Sequence, residues 1–132
     1  MAVELNHTIV PARDKEVSVR FYADMFGFTY EGPFGHFEPV RIESQHLTLD
    51  FDNRESFAPQ HYAFKVSEDE FDEIFDKIKK RGLVYGSGPG TSEDMDINHW
   101  DGGRGVYFRD PSGHLLELLT RDYTPELFEQ HK

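Results

Sequence analysis

A chain of 132 residues, 37 % hydrophobic and 14 % aromatic, is the right size for one domain with a real core and excludes disorder except at the ends. A formal net charge of −11 argues against nucleic acid and anionic membranes as partners, since either would be repelled. Without cysteine there are no disulfides and no thiolate metal sites, so a metal must be held by His, Asp, Glu or backbone oxygens, donors suited to Mn, Fe, Co, Ni or Zn.

The chain opens with Met1-Ala2-Val3-Glu4-Leu5, which has no basic region followed by an apolar run, so no signal peptide is expected. No apolar stretch approaches the roughly 20 residues that span a bilayer. The expected setting is the cytoplasm. Val3 to Val10 alternates apolar and polar residues and predicts a strand ended by Pro11. Asp14 reads as a helix N-cap, with Val17, Phe21 and Met25 on one face and Gly27 as the stop. Short strands follow around Phe28–Tyr30, Phe37–Ile42 and Leu47–Phe51, with Gly32-Pro33 separating the first two.

The second half repeats this order. His61–Val66 reads as a strand, and Ser67-Glu68-Asp69-Glu70 has the capping-box pattern. Phe71, Ile74, Phe75 and Ile78 share a helical face that ends at Gly82. A strand near Leu83–Tyr85, a Gly-rich loop over 86–105, and strands at Val106–Arg109 and His114–Thr120 follow. The turn Asp110-Pro111-Ser112-Gly113 joins the last two. Thr124-Pro125-Glu126 can cap a short C-terminal helix. The expected organisation is one α+β domain over 1–132, duplicated as βαβββ modules over 3–52 and 59–121, with a tail at 122–132. The paired modules are expected to form a curved mixed sheet with both helices outside. Aligning the halves sets His7 against His61 and Leu49 against Glu117.

Glu117 is the oddest residue in the chain, a carboxylate inside Leu115-Leu116-Glu117-Leu118-Leu119. Its burial costs several kcal/mol unless it is paired or holds a metal. His7 and His61 open equivalent strands, so pseudo-symmetry would bring them together. Two imidazoles and one carboxylate form a facial triad, which binds Fe(II) and related ions while leaving coordination positions open.

Asn6-His7-Thr8, His61-Tyr62-Ala63-Phe64 and the run from Arg109 through Asp110-Pro111-Ser112-Gly113-His114 to Glu117-Leu118 resemble the metal-strand motifs of the vicinal oxygen chelate superfamily. That resemblance implies paired βαβββ modules around a metal cup, a homodimer, a small-molecule substrate and one divalent metal on His7, His61 and Glu117. Members include glyoxalase I, extradiol dioxygenases, methylmalonyl-CoA epimerase, and fosfomycin- and bleomycin-resistance proteins.

Glyoxalase I and the epimerases have a fourth ligand on the strand equivalent to Leu47–Phe51, where this alignment puts Leu49. Asp50 would serve only with a one-residue register slip, so the resemblance favours a dioxygenase over a glyoxalase-type lyase or isomerase. Tyr107 lies where extradiol dioxygenases carry an active-site Tyr, and His46 is similar in position to their catalytic His. His99, in the long loop, is a further acid–base candidate. The expected metal is Fe(II) or Mn(II), with Ni, Co or Zn as alternatives, chelating a substrate through adjacent oxygens. Phe26, Phe37, Phe51 and Trp100 are candidate walls of the cup, and Arg104 a candidate partner for a substrate carboxylate. A third reading is a bleomycin-resistance-like protein that binds a small molecule without catalysis.

Overall fold

The structure, a computed structural model, describes residues 2–130, with side chains described as far as residue 127. The last two residues of the expected tail, 131 and 132, lie outside the described residues. The chain divides into two compact units, Met1–Pro59 with Asp110–Ser112, and Gln60–Arg109 with Gly113–Lys132.

In the first unit β1 (His7–Ala12), β2 (Glu38–Ile42) and β3 (Leu47–Asn53) form a mixed sheet in the order β1-β3-β2, with β1 parallel and β2 antiparallel to β3. The expected strand at 28–30 shrinks to one bridge between Thr29 and Arg41. Helix α1 (Lys15–Phe26) starts where the Asp14 carboxylate accepts from the backbone N–H groups of Glu16 and Val17, and ends at Gly27 with φ 71°. Only glycine adopts that left-handed conformation at little cost. Val17 is 40 % exposed, so the buried stripe runs instead through Ser18, Val19, Phe21, Tyr22 and Met25. It packs with Val10, Val40, Leu49 and Phe51 in the core.

Residues 110–112 complete this unit. Tyr22, wholly buried, donates its hydroxyl to Asp110 Oδ2 at 2.8 Å. The hydroxyls of Ser18 and Ser112 lie 3.3 Å apart, and the Arg13 N–H donates to Ser112 Oγ at 3.0 Å. These contacts satisfy polar atoms that burial would otherwise leave at a cost of about 1–3 kcal/mol each.

In the second unit β4 (His61–Lys65), β5 (Tyr85–Gly86), β6 (Gly105–Arg109) and β7 (Leu115–Leu119) form a mixed sheet in the order β4-β7-β6-β5. Helix α2 (Glu68–Lys80) carries a complete capping box, with Ser67 and Glu70 each bonded to the other's backbone N–H. Phe71, Ile74 and Ile78 are its buried face. They join Val106, Phe108, Leu116 and Leu118 in the core. Short helix α3 (Pro125–Gln130) ends the described chain. Among the described residues no helix is long and apolar enough to cross a membrane.

Candidate functional site

Strand alternation explains how Glu117 is accommodated. Leu116 and Leu118 turn to the core, so Glu117 points to the opposite face, beside Ala63 on β4 and Tyr107 on β6. There it is still 3 % exposed. His61 Nε2 faces Glu117 Oε1 at 3.0 Å, and the Tyr123 hydroxyl donates to Glu117 Oε2. The Tyr107 hydroxyl bonds to the same carboxylate. Among the described residues neither Lys nor Arg pairs with Glu117. Burial first, then the Glu117 charge and its hydrogen bonds, push both phenols well above the usual range, so they act as neutral donors.

The tautomer of His61 decides what this pair can hold. His61 Nδ1 lies 2.9 Å from the Leu115 carbonyl, which can only accept, so Nδ1 carries the proton. The Nε2 lone pair then faces a carboxylate oxygen, and two acceptors 3.0 Å apart need a cation between them, a proton or a metal. Two donors each about 2.1 Å from one ion, at a right angle, stand about 3 Å apart, so the pair fits adjacent ligands of a divalent metal. His7, on the first unit, has its Nδ1 occupied in the same way, 2.8 Å from Asn6 Oδ1. No three His, Asp or Glu side chains converge as a metal centre among the described residues.

A cavity of about 750 Å³ opens beside this pair in the second unit. Its walls include Trp100, His99, Tyr107, Tyr123 and Leu127, with the loop from Ser87 to Thr91 along one side. Glu117 and His61 are not themselves in its walls; Tyr107 and Tyr123 both line the cavity and touch Glu117. Trp100 meets both phenol rings edge-on, at 6.2 Å from Tyr107 and 5.7 Å from Tyr123. Within the Gly-rich loop over 86–105, Asp94 accepts from the backbone and hydroxyl of Ser87, which folds that stretch into a tight turn.

Within the second unit His61, Glu117, Tyr107, Trp100 and His99 are therefore gathered around one place. Two expected substrate contacts are corrected. Phe51 is 0 % exposed and packs on Tyr22 at 4.9 Å, because its position on β3 points to the core. Arg104 is already committed: Nε and Nη1 pair with Glu68 and Asp72 at 2.8 and 2.7 Å, and its guanidinium lies over the Phe71 ring. It fastens α2 to the start of β6. His46 sits in the first unit, exposed, in a left-handed turn (φ 52°) just before β3. Phe26 stacks on Phe28.

The ladders also correct the equivalence of the two halves. His7 pairs with Thr48 and His61 with Leu115; two residues on, Ile9 stands beside Asp50 and Ala63 beside Glu117. Asp50, not Leu49, is the counterpart of Glu117. Leu49 is 4 % exposed on the core face, whereas half-buried Asp50 shares the face of His7. The position therefore carries an oxygen donor.

The Glyoxalase/Bleomycin resistance protein/Dioxygenase superfamily model matches residues 4–118. The chain belongs to that superfamily. A solved structure named Oxidase ChaP-H2 is 52 % identical, with a TM-score of 0.88 over 93 % of this chain and 97 % of that one. The superfamily relative metallothiol transferase FosB of Lysinibacillus sphaericus (strain C3-41) is 29 % identical over 121 residues, covering 88 % of this chain and 81 % of its own. Glutathione transferase FosA of Serratia marcescens is 27 % identical over 124 residues, covering 89 % and 81 %. Tyr123 is the site residue that sequence reasoning missed. Its only signal was an aromatic residue just ahead of the Thr124-Pro125-Glu126 cap, in a stretch read as a tail.

Proposed function

We propose that this protein is a metal-dependent oxygen-using enzyme of the superfamily, acting on a flat, uncharged aromatic substrate with adjacent oxygens. The observation that carries the reading is exposed His61 facing buried Glu117, two acceptors 3.0 Å apart beside an aromatic-walled cavity. In this reading His61 and Glu117 hold Fe(II) or Mn(II), and His7 is the third ligand, by its correspondence to His61 on the equivalent strand. Its near neighbour in structure is named an oxidase, which supports oxygen chemistry. The bound ion supplies Lewis acidity and a template for adjacent oxygens.

The chain's own groups do the rest. Trp100 and Tyr123 offer apolar ring faces and edges to a planar substrate. Tyr107, held neutral with its proton toward Glu117, orients a substrate hydroxyl by accepting its hydrogen bond. His99, exposed on the cavity wall, takes the proton released when a substrate hydroxyl ionises. A glutathione-type co-substrate fits poorly, because its carboxylates call for cationic side chains and the described cavity walls include neither Lys nor Arg. A homodimer in the cytoplasm is part of the same reading.

Asp50 favours a second reading, a glyoxalase-type lyase or isomerase on Ni, Co or Zn with four protein donors. The two separate on metal analysis of anaerobically purified protein, followed by oxygen-electrode assays with catechols and isomerase assays with hemithioacetals. Near-stoichiometric iron or manganese, lost in His61→Ala, with oxygen consumed, is the expected result. Isomerisation without oxygen uptake overturns the oxygenase reading in favour of the second. No metal after reloading with each ion overturns both.

A further inference from the structure

We infer that Tyr123 is a positioning residue that keeps Glu117 a one-oxygen donor, an inference that rests on the metal-centre reading above. The two oxygens of Glu117 have different neighbours: Oε1 faces His61 Nε2, and Oε2 accepts from the Tyr123 hydroxyl, with Tyr107 a further donor to the carboxylate. An oxygen that accepts from a phenol is a weaker and less free donor, which favours presenting the other oxygen to an ion. A carboxylate with both oxygens unclaimed readily turns them to the same ion. A facial triad leaves one face of the ion open for a chelating substrate, and a second oxygen from Glu117 would intrude on that face.

The chain fixes Tyr123 from both sides. Thr124, the next residue, donates its backbone N–H and its hydroxyl to the two oxygens of Asp101, each at 3.0 Å. Asp101 adopts φ 55° to make that clasp, an uncommon conformation for a residue other than glycine. Leu127 is buried in the cavity wall, and the Trp100 ring edge closes on the phenol. The segment from 120 to 127 is thereby a strap that delivers one hydroxyl to one oxygen.

The test uses metal-stripped full-length protein reloaded with Mn(II). Mn(II) affinity is measured by chelator competition, and binding of 4-nitrocatechol by absorbance. In Tyr123→Phe, Mn(II) affinity stays within about threefold, while the roughly tenfold loss that a supporting group carries falls on 4-nitrocatechol binding instead of on metal affinity. Asp101→Gly keeps the phenol and its left-handed backbone but releases the clasp, and falls between the two. Unchanged 4-nitrocatechol affinity overturns the inference. So does a parallel loss of both affinities, which marks a purely structural role. Wild-type protein that takes up no Mn(II) sinks the metal-centre reading itself, and the inference with it.

Discussion

Glu117→Gln separates the metal-binding role of this carboxylate from its structural one. The amide keeps an acceptor for Tyr123 and Tyr107 and adds an N–H that can donate to His61 Nε2, so the buried hydrogen bonds survive without the buried charge. Metal-free Glu117→Gln therefore melts no lower than metal-free wild type. The metal response differs. A ligand at 100 times its dissociation constant stabilises the native state by about 2.7 kcal/mol. Unfolding entropy near the midpoint is about 2.1 cal/mol/K per residue, so for 132 residues it is about 0.28 kcal/mol/K. The wild type should then melt about 10 °C higher with saturating Mn(II), and Glu117→Gln less than about 2 °C higher. The assay is a thermal scan by circular dichroism under argon, with Mn(II), Fe(II) and Zn(II) in turn. An equal metal shift in the two proteins would refute the assignment of Glu117 as a ligand.

Three further variants test the surrounding structure. Tyr22→Phe removes the buried donor to Asp110 and should cost about 1–3 kcal/mol in urea denaturation with an unchanged m-value. Arg104→Met should leave the KM for substrate within about twofold, because the guanidinium is spent on α2. The hydrogen bond from Arg104 holds the Glu68 carboxyl below its ordinary range, so its contribution is complete above that range and is lost as pH falls through the lowered value. The melting gap between wild type and Arg104→Met should thus be widest near neutrality and shrink on acidification; a gap independent of pH refutes the ion-pair account. Ser67→Ala breaks the capping box and should cost about 0.5–2 kcal/mol, read as a shift in denaturation midpoint.

The features legible in the sequence are those written in local chemistry. Asp14 and Gly27 bracket α1, Ser67 and Glu70 cap α2, and the Asp110–Gly113 turn joins two strands, because each depends on residues a few positions apart. Glu117 was legible because a charge among leucines is costly unless it is used. What stayed hidden depends on register and on distant partners. Leu49 and Asp50 differ by one residue, and a strand with period two turns that difference into opposite faces. Phe51 looked like a cavity wall because nothing in its own strand says which face α1 covers. Arg104 looked available because its partners, Glu68 and Asp72, lie more than thirty positions away. Tyr123 belongs to a segment without periodicity, and only the fold brings it to Glu117.

The dependence of the first unit on residues 110–112 constrains how the protein can be made. Tyr22 meets its acceptor 88 positions further on, and Ser18 meets Ser112 across 94. During vectorial synthesis, the β1–β3 sheet and α1 leave the ribosome long before those partners exist. Closing so long a loop also carries an entropic cost that local contacts cannot offset early. An N-terminal half of this chain keeps its apolar core but lacks the partners of its buried Ser18 and Tyr22 hydroxyls, so it should be less stable alone than half of a duplicated protein suggests. Those two hydroxyls meet their partners only after residues 110–112 have been made, late in synthesis.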